Sequence, residues 1–385
     1  MYVSRRQNIL LTELKNSFPV ISLTGPRQAG KTTLLRHHFP DYRYVSFEQP
    51  SMRTAFASDP EGFLRTYDRA VIFDEAQNVP TLFSYLQGLV DEDRQPGRFV
   101  LSGSQNFLMR KNITQSLAGR VGIAELLPLD QVEMRTADLL APTPEEAIFN
   151  GCYPEQTVNP IRHQLFYDSY LYSYVQRDVA GLVNPSNLVD FQRFMSIAAG
   201  YAGQLLNYSN LATALGVSVP TVKSWLSILD QSYITFLLAP YFKSVTRRLV
   251  KSPKLYFYDT GLLCHLLGLR KPTELRDFYM YGALFENYVV ADARKQGLHV
   301  GERPSYHFYR DSNGAEIDLV HQSPARTTLW EIKGTETYHP RLTRTLRRIA
   351  DTEFPAADQR LVYGGRETMT LEGVRQVPWD HLDFD

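Results

Sequence analysis

The run that points most directly to chemistry is a glycine-bracketed loop near the N-terminus. Gly25 and Gly30 enclose the loop, and Lys31, Thr32 and Thr33 follow it at once. An apolar stretch, VISLT, precedes the loop and a helical pattern, TTLLRHHF, comes after it, which is typical of a phosphate-binding loop. Glycines there let backbone N–H groups curl around phosphate oxygens, and the helix N-terminus adds partial positive charge. We expect Lys31 at the β- and γ-phosphates, Thr32 at Mg²⁺, and Thr33 beside the same phosphates.

Two adjacent carboxylates, Asp74 and Glu75, end the apolar run at residues 70–74. Carboxylates are costly to desolvate, so their place at the end of a buried strand calls for a partner such as a metal ion. We expect Asp74 to hold Mg²⁺ through water and Glu75 to polarise the attacking water. A surface acidic turn is the alternative, and the phosphate-binding loop upstream argues against it. Together the loop and the carboxylates predict a site for ATP and Mg²⁺.

Weaker signals come after the next strand-like run, residues 98–102. That run leads into Gly-Ser-Gln, where Ser102, Ser104 and Gln105 would sense the γ-phosphate or water, although Ser and Gly are also ordinary turn residues. Arg120, in SLAGR, is a candidate arginine finger that stabilises the transition state of phosphoryl transfer. An ordinary surface arginine explains Arg120 equally well. If the finger acts in trans, hydrolysis requires a homo-oligomer, which we expect.

A second set of charged residues lies near the C-terminus. Asp318 is in the strand-like GAEIDLV, and Glu331 and Lys333 are in the strand-like TTLWEIK, with a turn between the two runs. Strand alternation puts Glu331 and Lys333 on one face, and Glu286 projects from a helical pattern upstream. This is the arrangement of PD-(D/E)xK nucleases, in which carboxylates bind a divalent metal and lysine orients the nucleophile. An active nuclease and an inactive nuclease-like fold both remain open.

Residues 207–229 have the pattern of a helix–turn–helix. Gly216 would end the first helix, and Ser218 would cap the second, with Pro220 in its first turn. The exposed face of the second helix offers one cation, Lys223, where phosphate contact usually recruits several. Docking on DNA and packing against neighbouring subunits are therefore both open interpretations.

A more basic segment follows this motif, between residues 243 and 271. Its only acid is Asp259, and its cations are Lys243, Arg247, Arg248, Lys251, Lys254, Arg270 and Lys271. Such a segment predicts either a nucleic-acid contact or a solvated rim at a domain junction.

The elements that must position these residues follow from the hydrophobic pattern. Strand-like runs alternate with helical stretches up to about residue 135, which predicts a parallel sheet covered by helices. Helical patterns dominate after that, at residues 162–179 and 188–201. Strand-like runs return from residue 254 around one strong helical pattern at 282–296. We therefore expect an α/β protein with a helical middle.

Several motifs together resemble the bacterial and archaeal AAA-type ATPases that carry a C-terminal domain of unknown function. They are GPRQAGKTTLL, VIFDEAQ, LSGSQ and SLAGR, followed by GCYPE at 151–155 and QRDV at 176–179. The resemblance covers most of the chain and implies an ATP-binding core, a winged-helix module and a restriction-endonuclease-like C-terminal fold. The domains expected are a P-loop AAA-type ATPase domain (1–135), a helical lid or linker (136–185), a winged-helix module (186–250) and a PD-(D/E)xK nuclease-like domain (251–385).

Composition limits the remaining function classes. The chain has 385 residues, of which 43% are hydrophobic and 21% charged, so global disorder is excluded. Its 41 basic and 41 acidic residues give zero net charge, which argues against a protein coated in nucleic acid but leaves local basic patches open. No apolar run approaches the roughly 18 residues of a membrane span, and no secretory signal is recognisable. Cys152 and Cys264 are expected to be reduced core thiols, as in a cytoplasmic protein.

The predicted function is ATP binding and hydrolysis by an AAA-type core that acts on or with DNA, with a metal-dependent nuclease domain. The alternative is an ATP-controlled switch or scaffold whose C-terminal fold binds a partner without cleaving nucleic acid. Neither function involves a membrane.

Overall fold

The structure is a computed structural model that describes residues 1–104, 109, 112–180, 182–184, 187–242 and 252–384. Gln105 and four of the basic residues singled out above lie outside the described residues. Those four are Lys243, Arg247, Arg248 and Lys251.

The described strands and helices alternate in the first part of the chain. The strands are β1 (Val20–Thr24), β2 (Arg43–Ser46), β3 (Val71–Asp74), β4 (Phe99–Gly103) and β5 (Val121–Glu125). The helices are α1 (Gln7–Ser17), α2 (Lys31–His38), α3 (Pro50–Ser58), α4 (Pro60–Thr66) and α5 (Thr81–Glu92).

Helices form most of the described middle. They are α6 (Gln131–Thr136), α7 (Pro144–Asn150), α8 (Pro154–Val158), α9 (His163–Tyr174), α10 (Leu188–Ala199), α11 (Tyr208–Leu215), α12 (Val219–Gln231) and α13 (Thr260–Leu266). Two strands, β6 (Thr235–Leu238) and β7 (Lys254–Phe257), lie between the last two helices.

The last part of the chain contains two α-helices and six strands among the residues described. They are α14 (Tyr281–His299), β8 (Ser305–Arg310), β9 (Glu316–Gln322), β10 (Thr327–Lys333), α15 (Arg344–Glu353), β11 (Asp358–Tyr363), β12 (Met369–Leu371) and β13 (Val374–Pro378). No helix within the described ranges has the length and hydropathy that a bilayer-spanning segment needs.

The N-terminal sheet is parallel, with strand order β2-β3-β4-β1-β5. This confirms the parallel sheet predicted from the alternating pattern. All five residues of β1 are buried, because separate hydrophobic clusters cover the two faces of the sheet. The strand β4 lies between β1 and β3, so the phosphate loop and the carboxylate pair leave the same edge of the sheet from non-adjacent strands.

The helix pair of the middle part has the caps that its sequence predicts. Gly216 adopts φ 70° just after α11, and the Ser218 side chain accepts a hydrogen bond from Thr221 N (3.2 Å) at the start of α12. After α12 the antiparallel pair β6–β7 forms. The expected domain boundary at residue 250 falls inside this pair, because β7 binds β6 rather than the C-terminal sheet. The hydrophobic pattern of β7 alone did not indicate its partner.

The C-terminal sheet has the order β12-β13-β11-β10-β9-β8. The strands β9 and β10 form the predicted antiparallel hairpin, and β10 pairs in parallel with β11. A small hydrophobic cluster fills the space between the sheet and α15. On the other face α14 shares one large hydrophobic core with the helical middle, and polar residues such as Asn287, Asp292 and Gln296 are buried along the same helix.

A buried polar junction joins the C-terminal end of α14 to the N-terminal domain. His299 donates from Nδ1 to Asp130 (2.8 Å) and accepts from Leu127 N (3.3 Å), and Glu133 accepts from Arg5 Nε (3.0 Å). Asp130 and Glu133 also form a capping box at the start of α6. Burial alone would raise the pKa of Asp130, but the hydrogen bond and charge of His299, the hydrogen bond from Glu133 N and the charge of Arg6 together hold it below its ordinary value.

Glu133→Gln is expected to lower the free energy of unfolding by about 3–5 kcal/mol, because it leaves the buried Arg5 guanidinium without its counter-charge. The measurement is urea denaturation followed by circular dichroism. Glu61→Gln, which removes an exposed ion pair with Arg65, is the matched control. It should change the free energy of unfolding by at most about 1 kcal/mol. Equal effects of the two substitutions would contradict the assignment.

Candidate nucleotide and metal sites

The phosphate-binding loop depends on backbone geometry that its glycines permit. Gly30 has φ 92°, and a Cβ on Gly25 would lie 1.9 Å from Leu126 O. Lys31 is 7% exposed and donates to Gly25 O (2.9 Å) and Pro26 O (2.8 Å). Burial lowers the pKa of Lys31 below its ordinary value, although Glu75 and Asp74 act in the opposite direction. A buried ammonium group thus lies in the loop itself, where it can meet an anion.

Asp74 is the centre of a second group of contacts, at the end of β3. The Thr32 hydroxyl donates to Asp74 Oδ2 (2.9 Å), which brings the two residues predicted to bind Mg²⁺ into contact. Tyr44 and Ser102 also donate to this carboxylate from the neighbouring strands. Burial, together with Asp74, raises the pKa of Tyr44 to about 12. Tyr44 was missed in the sequence because its role depends on β2 lying beside β3.

Glu75 follows in a left-handed backbone conformation, with φ 52°. Its Oε2 accepts hydrogen bonds from Gln77 Nε2 and from the Ser104 hydroxyl (3.3 Å). Ser104 therefore lies beside the predicted water-activating carboxylate, as its position after β4 suggested. Gln77 was not predicted, and the signal that could have found it is its place two residues after the carboxylate pair.

Residues of the helical middle line one side of the cleft at the phosphate loop. Ser173 and Arg177 line it together with loop residues, Glu75 and Ser104. Arg27, within the loop, binds Asp178 through two hydrogen bonds of 2.8 and 2.9 Å. Arg177 also contacts Glu48 (2.7 Å). The QRDV motif, which had no predicted role, thus ties the middle of the chain to the phosphate loop.

Arg120 does not reach the phosphate loop of its own chain. Its guanidinium forms two hydrogen bonds, of 2.7 and 2.9 Å, to the Asp91 carboxylate on α5. The Arg120 side chain is 22% exposed. A role for Arg120 at bound phosphates would therefore require that another subunit bind those phosphates.

Three of the four predicted C-terminal residues meet at the β9–β10 hairpin. The register pairs Trp330 with Leu319, so Glu331 comes next to Asp318 on the neighbouring strand. Lys333 Nζ lies 2.7 Å from Glu331 Oε1 and 3.1 Å from Asp318 Oδ2. Asp318 also accepts from Ile332 N (2.8 Å). The second carboxylate oxygen of Glu331 is buried and accepts no hydrogen bond in the described part of the chain.

Glu286 lies beside these residues but has a different partner. Lys254 Nζ, from β7, is 2.8 Å from Glu286 Oε1 and also contacts Glu316, while the Tyr256 hydroxyl donates to Glu286 (2.5 Å). Lys254 was expected in an exposed basic segment, and that expectation was wrong: it is 3% exposed. Lys254 is buried because its ammonium group meets Glu286 and Glu316, which come from distant parts of the chain.

Comparisons with known proteins add the family. Residues 17–135 match the AAA domain, residues 142–273 a domain of unknown function (DUF8612) and residues 281–382 another (DUF4143). An uncharacterized protein of Mycobacterium tuberculosis is 33% identical over 371 residues, which span 94% of this chain and 81% of the relative. The chain belongs to the family of this mycobacterial protein.

More distant similarities extend to archaea. An uncharacterized protein of Methanocaldococcus jannaschii is 23% identical over 329 residues, spanning 77% of this chain and 70% of the relative. Among solved structures, a Walker-type ATPase of Pyrococcus abyssi is 16% identical with a TM-score of 0.42, over 69% of this chain and 96% of that one. The AAA match, the strand order and the loop geometry agree that the N-terminal part of this family member is a P-loop AAA-type domain.

Two of the C-terminal carboxylates in this family member have raised pKa values. Burial, and next the neighbouring Asp318, raises the pKa of Glu286 to about 7 and that of Glu331 to about 8. Burial alone would lower the pKa of Lys333, but Asp318 and Glu331 raise it above its ordinary value. Lys333 therefore remains charged, and Asp318 and Glu331 both contact its ammonium group.

A closer grouping of metal-type ligand atoms lies elsewhere among the described residues. Among the described residues, Asp130, Glu133 and His299 are the group of three whose ligand atoms all lie within 4.8 Å of one another. Their atoms are committed to the hydrogen bonds of the buried junction, which explains the closeness without a metal. The oxygens of Glu286, Asp318 and Glu331 are less tightly gathered, and lysine ammonium groups lie among them.

The raised pKa values predict a pH-dependent stability. Folding is linked to proton uptake between the unfolded pKa of about 4.5 and the folded values near 7 and 8. The free energy of unfolding in EDTA should therefore fall as pH rises from about 5 to 8, and Glu331→Gln should reduce that slope. Urea denaturation at several pH values measures it, with the exposed Glu302→Gln as control. An unchanged slope in Glu331→Gln would contradict the burial effect.

Proposed function

We propose that the protein binds ATP with Mg²⁺ in the cleft at the phosphate loop and hydrolyses it. The observation that carries this proposal is the 2.9 Å hydrogen bond between the Thr32 hydroxyl and Asp74. It joins the first turn of the loop's helix to a strand-end carboxylate, as a hydroxyl–carboxylate pair for a divalent cation requires. When bound, Mg²⁺ would neutralise charge that develops on the phosphates.

The proposed roles of the residues follow from their positions. Lys31 and the loop N–H groups between Gly25 and Gly30 bind the phosphates, with Thr33 beside them, and Thr32 and Asp74 hold the cation. Glu75, oriented by its contacts with Gln77 and Ser104, accepts the proton of the attacking water. Arg177, on the rim of the same cleft, supports an arrangement in which the helical middle responds to the nucleotide.

Lys31→Ala should weaken ATP binding about 10- to 100-fold, because a charge-assisted contact to phosphate is worth about 1.5–3 kcal/mol. Glu75→Gln should keep ATP affinity but lower kcat about 10²-fold or more, since only the proton acceptor is lost.

Arg120→Ala should lower kcat about 10³-fold and spare binding if Arg120 acts in trans, after release from Asp91, in a homo-oligomer. Fluorescent-nucleotide titration and phosphate release measure the two quantities.

Glu61→Gln, which changes an exposed side chain on α4, is the control for these substitutions. Wild-type turnover in Glu75→Gln would refute the assignment of the water-activating carboxylate. Turnover that is independent of protein concentration, together with an inert Arg120→Ala, would refute the trans finger and leave the rest of the proposal intact.

We further propose that the protein acts on DNA and that its C-terminal part is a PD-(D/E)xK nuclease-like domain. The observation that favours this second function is the buried oxygen of Glu331 that accepts no hydrogen bond, beside Asp318 and Lys333. Oxygens of this kind suit Mg²⁺ or Mn²⁺, and the lysine would orient the nucleophile. The helix pair α11–α12 with β6–β7 is the proposed winged-helix module, with Lys223 on its exposed face.

Asp318→Ala and Lys333→Ala should both abolish cleavage of labelled plasmid, linear or branched DNA with Mg²⁺ or Mn²⁺, while ATP turnover stays within about twofold of wild type because the two sites use different residues. Nicking and phosphate release are measured on the same preparations, with and without ATP. Cleavage that survives Asp318→Ala would come from a contaminant or another site. A wild type without cleavage or metal binding would favour the alternative, an ATP-controlled scaffold.

A further inference from the structure

Lys254 connects two parts of the molecule that the sequence analysis separated. It begins β7, which pairs with β6 of the helix–turn–helix part, yet its ammonium group contacts Glu286 on α14 and Glu316 on β9. Its side chain is 4% exposed. A buried ammonium group needs polar partners that compensate for its lost hydration, and for Lys254 those partners are Glu286 and Glu316.

The charges around Lys254 do not balance. Glu316, at the rim, is also paired with Arg310 (3.3 Å). Inside the rim, three carboxylates face two ammonium groups: Glu286, Asp318 and Glu331 against Lys254 and Lys333. Fully ionised, this set carries one negative charge. Without Lys254 it would carry two, which is the charge that one divalent cation neutralises.

The set also contains a carboxylate oxygen that is available to a ligand. Glu331 is 6% exposed, and its Oε2 accepts no hydrogen bond within the described residues. A buried carboxylate oxygen without a partner is costly, so a ligand that binds there gains more than at a solvated acid. The Tyr256 hydroxyl, two residues after Lys254 on the same strand, holds Glu286 in place.

We propose that Lys254 competes with the divalent cation for Glu286. The Lys254 ammonium group must leave Glu286 before the metal binds with full affinity. This inference rests on the proposed metal site at Asp318 and Glu331. It assigns the control of that site to the strand β7, and hence to the part of the chain that carries the helix–turn–helix. A shift of β7 would change metal affinity without any change in the carboxylates themselves.

The test is Mn²⁺ binding to the full chain, measured by isothermal titration calorimetry and by the electron paramagnetic resonance signal of free Mn²⁺. Lys254→Met should lower the Mn²⁺ dissociation constant about tenfold or more, because a cation beside the metal is removed. Lys254→Gln, which is neutral but still donates to Glu286, should act in the same direction. Lys254→Arg, which keeps the charge, is the matched control and should bind Mn²⁺ like wild type. Circular dichroism and ATP turnover establish that each variant is folded.

Asp318→Ala separates the possible failures. If it abolishes Mn²⁺ binding while folded Lys254→Met and Lys254→Gln bind Mn²⁺ like wild type or more weakly, the role of Lys254 is overturned and the metal site stands. If no protein binds Mn²⁺, including the two neutral variants, the metal site falls and the role of Lys254 with it. Binding by the neutral variants but not by wild type would support the competition most strongly.

Discussion

The buried polar junction around Glu133 and His299 is the constraint on which the arrangement of the two candidate sites depends. Arg5 lies at its centre and donates to Ala29 O (2.9 Å) in the phosphate loop, to Leu127 O (2.7 Å) after β5, and to Glu133. Charges buried this deeply must remain paired, because separation from their partners costs several kcal/mol. The phosphate loop, the start of α6 and the end of α14 are therefore held in one fixed relation.

The helix α14 carries this relation to the C-terminal site. Asn287 donates to Phe257 O and accepts from Phe257 N, each at 2.8 Å, and so binds the edge of β7. Farther along, Lys295 donates to Leu129 O (2.8 Å) and Asp292 accepts from Gln131 N (2.8 Å). Glu286 and His299 lie near opposite ends of this one helix, so α14 connects the polar junction to the C-terminal site without an intervening loop.

The carboxylates of the two sites have different hydrogen-bond and ion-pair partners. Asp74 is surrounded by neutral hydroxyl donors from Thr32, Tyr44 and Ser102, which stabilise a negative charge and leave it available to a cation. In the C-terminal site lysine ammonium groups neutralise the acids directly, and burial raises the pKa values of Glu286 and Glu331. A cation is therefore expected to enter the first site without displacing a protein charge, whereas it competes with one in the second.

The sequence alone determined the features that depend on neighbouring residues: the glycine loop before Lys31, the strand ending at Asp74, the caps at Gly216 and Ser218, and the common face of Glu331 and Lys333. Backbone conformation and strand alternation act over a few residues, so their signals survive in the one-dimensional pattern. Only the tertiary structure decided which distant groups meet these features. Tyr44 at Asp74, Asp178 at Arg27 and Lys254 at Glu286 are all pairs separated by 30 or more positions. Such pairs are determined by strand order and by helix packing, which the burial of the whole chain selects and no short segment encodes.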